Sequence, residues 1–170
     1  NREQGVALGM FEAEVRFYAE LGVKTGTGLP EIFFSKIQSG TADFVIVMED
    51  LSELTMVDQS AGMSFEQALA AVKVLANIHA VWWGKVQTQD LEWIPSMVGP
   101  RIEYVDQVLP QIYPIFAETF AATLPEGGAE LTEQFSRSYL SLNKQLSERA
   151  PWTLAHQDYR VENMLFGDVK

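Results

Sequence analysis

The chain has 170 residues, of which 47% are hydrophobic and 21% charged, enough apolar material for one ordinary domain or two small lobes. Twelve Lys and Arg against 23 Asp and Glu give a net charge of −11, which argues against nucleic acid or an anionic membrane as the main partner. The lack of Cys excludes disulfide scaffolds, thiolate zinc sites and cysteine nucleophiles, and two His nearly exclude a multi-histidine metal centre.

The first predicted helix runs from about Leu8 to Leu21, because apolar residues recur at the three-to-four-residue spacing of a helical face. Glu14 shares one such face with Met10, Phe17 and Leu21, so we expect its carboxylate to point inward. A buried carboxylate needs a cationic partner, and none is close in sequence. Gly22 and then the cluster Thr25-Gly26-Thr27-Gly28 are expected to end this helix and to form a loop.

Two β-type runs follow, Glu31–Ile37 and Phe44–Met48, with Ser39-Gly40-Thr41 between them. This order predicts an antiparallel pair of strands. Because the second run is continuously apolar, we expect a central strand that is buried on both faces. It ends abruptly in Glu49-Asp50.

After about Ser52 the pattern becomes helical. Ser64 and Gln67 form a capping-box pattern at the start of a helix. An apolar stripe then runs from Phe65 to Trp83 at helical spacing, and His79 lies within it as an expected structural hydrogen-bonding residue that braces a neighbouring loop.

Two more helical segments come next. The segment Arg101–Phe120 contains Pro110 and Pro114, each of which removes an amide donor, so we expect a broken helix. A strong stripe from Leu131 to Leu146 predicts a further helix that Pro151 closes.

The end of the chain predicts two short strand pieces, Trp152–Ala155 and Met164–Phe166, around a polar loop, with Asp168 in a hairpin turn. Strands followed by helices indicate an α+β fold rather than an alternating α/β fold. The change of character near Ser52 is the best internal boundary.

The polar loop reads His156-Gln157-Asp158-Tyr159-Arg160-Val161-Glu162-Asn163, an H-x-D-x-x-x-x-N pattern. In kinase-type phosphoryl transfer such a loop supplies an Asp that accepts the proton of the substrate hydroxyl, and an Asn that holds a metal ion on the nucleotide phosphates. The same spacing also fits an ordinary loop, with His156 in a core, Asp158 capping a turn and Asn163 in a left-handed conformation. The spacing alone leaves both interpretations open.

The whole tail, residues 154–166, resembles the catalytic loop of the aminoglycoside phosphotransferase and choline kinase-like family. Residues 12–21, 44–51 and 75–83 resemble the first-lobe helix, the strand leading into the hinge, and the L-A-x-L-H-A helix of that family, in the same order. The resemblance implies a protein kinase-like two-lobe fold. Residues 1–52 would form the rest of a small nucleotide-binding lobe and hinge, and residues 53–170 a mostly helical large lobe ending at the catalytic loop.

The resemblance also implies roles for individual residues. Asp158 would be the catalytic base, His156 would hold the loop backbone beside it, and Asn163 would bind Mg²⁺. Glu14 would pair with a Lys that holds the nucleotide. At the hinge, ATP would stack against backbone contributed by Met48, Glu49 and Leu51.

Some family features differ or are absent. Gln157 stands where the family usually has Gly. The Gly-rich phosphate loop and the strand Lys are expected before Asn1, and a second metal-binding Asp after Lys170. We therefore expect both ends to be cuts through a longer protein, and the chain as given to be inactive by itself.

The acceptor implied by the resemblance is a small molecule with a hydroxyl group: an aminoglycoside or other antibiotic, choline, a sterol-like alcohol or a hydroxyacyl compound. The acidic balance favours a cationic acceptor, and the phosphoryl donor could also be GTP. Trp82, Trp83 and Trp93 lie near residues 94–120, the predicted acceptor pocket. Arg160 would either neutralise phosphate charge or pair with an acid such as Glu162.

The alternative function is a degenerate kinase fold that serves as a binding module without catalysis. A protein kinase fits less well because the loop lacks the Arg-Asp pair, and a serine hydrolase fits poorly because no G-x-S-x-G elbow is present. We expect neither nucleic acid nor a membrane as a partner. The lack of an export signal and of Cys, together with ATP-dependent chemistry, predicts a cytoplasmic protein.

Overall fold

A computed structural model describes residues 2–26, 28–88 and 91–167. The helices are α1 (Arg2–Ala7), α2 (Met10–Arg16), α3 (Gly22–Thr25), α4 (Phe65–Trp82), α5 (Pro100–Phe120) and α6 (Gly128–Ser147). The strands are β1 (Ile32–Ile37), β2 (Phe44–Met48), β3 (Thr55–Met56) and β4 (Leu165–Phe166). One π-helical turn spans Phe17–Leu21, and 3₁₀ turns span Val86–Thr88 and Val161–Asn163.

The chain divides into two compact units. The first contains residues 1–91 and 151–170, and the second contains residues 92–150. Helices and strands both occur, in agreement with the predicted α+β class. The lobe boundary near Ser52 stays a prediction.

The first helix differs from its predicted bounds. Gly9 has a φ of +66°, which separates α1 from α2. Gly22 does not end the helix, because α2 continues through the π turn into α3; the chain leaves the helical conformation at Gly26, where φ is +85°, within the cluster predicted to end it. Gly22 and Gly26 differ in their local backbone conformation. The spacing of apolar residues does not predict that conformation.

The prediction that Glu14 points inward is wrong. Glu14 is exposed, whereas its neighbour Val15 is 1% exposed and its carbonyl accepts a hydrogen bond from the Ser35 hydroxyl of β1 (2.9 Å). Successive helical side chains point about 100° apart, so packing Val15 against β1 turns Glu14 away from that contact.

Strands β1 and β2 form the predicted antiparallel pair, from Ile32 opposite Met48 to Ile37 opposite Phe44. The expectation that β2 is buried on both faces is wrong, since Val45 and Val47 are each 45% exposed. In the described part of the chain this sheet has two strands, and α2 together with the π-helical turn that follows it packs on the sheet. A two-stranded sheet covered in this way leaves apolar side chains in contact with solvent.

Helix α4 begins with the predicted capping box. The Ser64 hydroxyl accepts the Gln67 N–H (3.2 Å), and the Ser64 N–H donates to Gln67 Oε1 (2.8 Å). The predicted apolar stripe is largely exposed, with Phe65 at 77% and Val72 at 61%. The buried side instead includes Trp82, whose indole N–H donates to the Thr25 hydroxyl of α3 (2.9 Å).

The end of the chain contains one of its two predicted strands. Strand β4 pairs antiparallel with β3, Thr55 opposite Phe166 and Met56 opposite Leu165. Residues 152–155 have no strand partner, contrary to prediction. The predicted turn at Asp168 lies outside the described residues.

In the second unit, α5 and α6 pack against each other. Helix α5 is continuous through Pro110 and Pro114, so the predicted break is wrong. The two prolines are four residues apart and exposed, which places both missing hydrogen bonds on one solvated side of the helix. The Tyr113 hydroxyl donates to the Ala129 carbonyl of α6 (2.9 Å) and helps to hold the pair together.

Within residues 2–26, 28–88 and 91–167, none of the helices is both long and apolar enough to cross a lipid bilayer.

Candidate active site

The loop of residues 156–163 is fastened to helix α4. The Tyr159 hydroxyl donates to the Ala71 carbonyl (2.6 Å), and the Thr153 hydroxyl donates to the His79 carbonyl (2.8 Å). Val161 is 6% exposed and anchors the far side of the loop. Burial raises the pKa of the Tyr159 hydroxyl, which therefore keeps the proton that it donates. The backbone carbonyl of His79 thus holds the chain just before the loop, and the predicted bracing role of the His79 side chain stays a prediction.

Asp158 and Asn163 lie in direct contact. Asn163 Nδ2 donates to Asp158 Oδ2 (2.8 Å) and to the Asp158 carbonyl (2.9 Å). The 3₁₀ turn at Val161–Asn163 closes the five-residue gap between the two side chains. Because the amide nitrogen faces Asp158, the side-chain carbonyl oxygen of Asn163 takes no part in these bonds. Both side chains are exposed, so a ligand can reach them.

His156 stands at the start of the loop and touches its backbone. The Asp158 N–H donates to His156 Nδ1 across 3.4 Å, a long hydrogen bond. The imidazole also meets the Tyr159 ring edge-on, with ring centroids 5.4 Å apart. His156 is exposed rather than in a core. Its contact with the Asp158 N–H orders the turn at Asp158.

Gln157 has a φ of +66° and is the one non-glycine residue with positive φ in the described part of the chain. The left-handed conformation costs an L-residue about 1–2 kcal/mol, whereas glycine adopts it freely. The position at which the family resemblance leads us to expect glycine therefore has the backbone geometry that suits glycine.

We expect Gln157→Gly to raise the free energy of unfolding by about 0.5–1 kcal/mol. Relief of the left-handed strain exceeds the entropy, about 0.5–1 kcal/mol, that glycine adds to the unfolded chain. Urea unfolding measures this difference. Gln134→Gly, at an exposed position inside α6, is the control and should lower stability by about 1 kcal/mol. Equal losses in both variants would contradict the strain at Gln157.

Arg160 pairs with acids, one of its two predicted roles. Its Nε lies 3.2 Å from Asp158 Oδ1, and its Nη1 forms an ion pair with Glu162 Oε2. The same Nη1 donates to Gln59 Oε1 (3.1 Å), a residue 101 positions away in sequence. One carboxylate oxygen of Asp158 therefore contacts Arg160, and the other accepts a hydrogen bond from Asn163.

The predicted hinge directly follows β2. The Glu49 N–H donates to the Glu31 carbonyl (2.9 Å), and the Glu31 N–H donates to Glu49 Oε1 (2.8 Å), so the Glu49 side chain extends the strand ladder. Asp50 Oδ1 accepts the Ser52 N–H (2.9 Å), and hydrogen bonds from Ser52 lower the pKa of the Asp50 carboxyl. Within the described residues, the Glu49 carbonyl and the Leu51 N–H form no hydrogen bond.

The predicted site residues therefore fall in separate places. Asp158, His156 and Asn163 share the loop, whereas Met48 is the last residue of β2 and Glu49 and Leu51 follow it. Glu14 lies on α2, which packs on β1 and β2, and its negative charge contributes to a raised pKa of Tyr18 after the larger effect of burial.

The oxygen donors of the loop suit Mg²⁺, which prefers carboxylate and amide oxygens. The amide oxygen of Asn163 and the Asp158 carboxylate beside it are oxygen donors of the two types that Mg²⁺ prefers. Among the described residues, no group of three or more His, Asp or Glu side chains forms a metal site of its own. The loop thus suits a metal that is also held by nucleotide phosphates.

Sequence reasoning did not identify Gln59 as part of the site. Gln59 follows β3 in a turn, and nothing in its local pattern distinguishes it from a solvated polar residue. The antiparallel pairing of β3 with β4 brings its neighbourhood to the loop.

A short loop that joins an Asp carboxylate to an Asn amide, fastened to a helix and followed by a strand, is typical of kinase-like phosphotransferases. The sequence model of the ecdysteroid kinase-like family matches residues 2–169, and the chain belongs to that family. This family has a protein kinase-like fold and is related to choline kinases and aminoglycoside phosphotransferases, so a kinase-like phosphotransferase activity on small molecules is implied. No curated protein and no solved structure matches the chain.

Proposed function

We propose that this chain carries the catalytic loop of a small-molecule kinase that transfers the γ-phosphoryl group of ATP to a substrate hydroxyl. The contact between the Asp158 carboxylate and the Asn163 amide supports the proposal most strongly. That contact pairs a proton acceptor with a neutral oxygen donor, the two groups that phosphoryl transfer to an alcohol requires at one place.

In this mechanism Asp158 accepts a hydrogen bond from the acceptor hydroxyl and orients its oxygen toward the γ-phosphoryl group. Asp158 takes the hydroxyl proton as the new P–O bond forms, while the bond from the γ-phosphorus to the bridging oxygen breaks and ADP leaves with that oxygen. His156 supports the backbone turn that presents the carboxylate. The Asn163 side-chain oxygen would hold Mg²⁺. When bound, that ion would neutralise charge on the phosphates and orient them.

The hinge would bind the adenine ring. The unpaired Glu49 carbonyl and Leu51 N–H offer an acceptor and a donor two residues apart on one stretch of backbone. These two groups match the amino group and a ring nitrogen of adenine. Glu14 would pair with a cation on a neighbouring segment of the complete protein, a role that its exposed position allows.

The acceptor class proposed first is a steroid alcohol, since the family is described as ecdysteroid kinase-like. An ecdysteroid carries hydroxyl groups but no charge, so the net charge of −11 neither attracts nor repels it. Choline and aminoglycosides, which are cationic, are the next candidates.

The test is an acceptor screen with the complete protein, ATP and Mg²⁺. We expect ADP release that depends on both an alcohol acceptor and Mg²⁺, together with a phosphate ester detected by mass spectrometry. An ecdysteroid, choline and an aminoglycoside are compared at equal concentration. Magnesium-dependent ATP binding without product for any acceptor would favour a binding module, and no nucleotide binding at all would contradict the proposed function.

A further inference from the structure

We propose that Arg160 and Gln59 act together as positioning residues that hold the Asp158 carboxylate in its productive orientation. This inference rests on the proposed function for its kinetic consequence. Its structural part, the coupling of the loop to the turn after β3, stands on the contacts alone.

Arg160 connects three groups at once. Its guanidinium contacts Asp158 Oδ1 (3.2 Å), the Glu162 carboxylate and Gln59 Oε1 (3.1 Å). Its backbone N–H also donates to the Asp158 carbonyl (3.0 Å). A planar guanidinium has donors in fixed directions, so several simultaneous contacts define its orientation in a way that a single ion pair cannot.

The two oxygens of the Asp158 carboxylate are thus restrained from different sides. Arg160 contacts Oδ1, and the Asn163 amide donates to Oδ2 at 2.8 Å. With both oxygens engaged, rotation about the bond that carries the carboxylate breaks one of the contacts. An exposed Asp side chain without such contacts would sample several rotamers.

Gln59 gives this arrangement an anchor outside the loop. It lies in a turn in which Asp58 Oδ1 accepts the Ser60 N–H (2.7 Å) and the Asp58 carbonyl accepts the Ala61 N–H (3.1 Å). The turn follows β3, which pairs with β4 directly after the loop. The β3–β4 pairing already joins the turn after β3 to the loop before β4. The contact of Arg160 with Gln59 is therefore a second connection between these two segments.

The expected effect is on orientation and not on folding. Arg160 is 46% exposed at its side chain and Asp158 is 63% exposed. Exposed ion pairs contribute about 0–1 kcal/mol to stability. A displacement of about 1 Å at a reacting group, by contrast, can lower turnover by about 100-fold. A positioning role therefore predicts a large kinetic effect beside a small change in stability.

The experiment compares Arg160→Gln, Arg160→Lys, Gln59→Ala and the double variant Arg160→Gln/Gln59→Ala in the complete protein. We expect Arg160→Gln to lower kcat by about 10- to 100-fold, with the KM for ATP changed less than about threefold. Arg160→Lys should fall between this variant and wild type, since an ammonium cannot make all the contacts. Gln59→Ala should lower kcat by about three- to tenfold, but by less than about twofold when Arg160 is already Gln.

Arg137→Gln is the matched control, because Arg137 pairs with Glu133 on the surface of α6, outside the first unit. Its kcat should stay within about twofold of wild type. A large rise in the KM for ATP with kcat retained in Arg160→Gln would overturn the proposal and show a direct phosphate contact instead. Fully additive losses in the double variant would overturn it too.

Amide hydrogen exchange separates this inference from the proposed function. The N–H groups of Arg160 and Asn163 donate hydrogen bonds to the carbonyls of Asp158 and Arg160, and their exchange rates report on the loop whether or not phosphoryl transfer occurs. We expect Arg160→Gln and Gln59→Ala each to speed their exchange at least threefold, without a further increase in the double variant. Unchanged exchange in both single variants would overturn the inference even in an active enzyme. If the wild type transferred no phosphoryl group while the variants showed the expected faster exchange, only the proposed function would be overturned.

Discussion

Asp158→Asn is expected to lower the turnover of the complete protein by about 100- to 10,000-fold, while the affinity for ATP stays within about threefold of wild type. General-base catalysis contributes about that factor. The substitution keeps the size of the side chain but removes its ability to take the acceptor proton. The nucleotide is expected to contact the hinge and the metal rather than this carboxylate, so its binding should survive. Steady-state kinetics and calorimetric titration with a non-hydrolysable ATP analogue measure the two quantities.

Asp43→Asn is the matched control for this prediction. It makes the same chemical change at an exposed carboxylate that pairs with Arg2 at 2.6 Å, away from the loop. Its turnover should be unchanged within about twofold. Both variants should unfold at nearly the same urea concentration as wild type, because exposed ion pairs contribute little to stability. Normal turnover in Asp158→Asn would exclude the assigned catalytic role.

Asn163→Asp is expected to lower turnover by about 100-fold or more. An aspartate keeps an oxygen donor for Mg²⁺, but it loses the N–H groups that donate to Asp158 Oδ2 and to the Asp158 carbonyl. It also places a second carboxylate at hydrogen-bonding distance from the first, and like charges at such a distance disfavour the ionised pair. Asn163→Ala removes both the donor and the metal ligand without adding charge, so it should also raise the Mg²⁺ concentration required for half-maximal rate.

Asn77→Asp controls for the added charge, since Asn77 is exposed on α4. It should show wild-type turnover and an unchanged Mg²⁺ dependence. The comparison of the two Asn163 variants separates the roles of the side chain. If Asn163→Ala left the Mg²⁺ requirement unchanged while lowering turnover, the amide would orient Asp158 without holding the metal.

Local pattern was sufficient for several elements. The antiparallel pair β1 and β2 and the capping box at Ser64 and Gln67 both follow from residues close in sequence. Turn residues between two apolar runs bring adjacent strands together, and a cap needs only its own first helical turn. The spacing of Asp158 and Asn163 alone left a catalytic and an ordinary loop open, and the family resemblance favoured the first; the structure places the two side chains in contact, and their catalytic roles stay predictions.

Tertiary packing overrode local pattern elsewhere. Apolar spacing placed Glu14 on an inward face, but the contact of Val15 with β1 determines which face of α2 is buried. Pro110 and Pro114 each predict a break, yet α5 is continuous, with both prolines on its solvated side while the helix packs against α6. The stripe from Phe65 is helical as predicted, but its exposure depends on what packs beside α4.

The sequence by itself determined which chemical groups this protein offers, a carboxylate and an amide five positions apart and no cysteine, and it matches the ecdysteroid kinase-like family. Only the tertiary structure decided how those groups are held, because contacts such as Arg160 with Gln59, 101 residues apart, leave no periodic trace in sequence. Side-chain type is encoded residue by residue, whereas the orientation of a carboxylate depends on segments that meet only when strands pair.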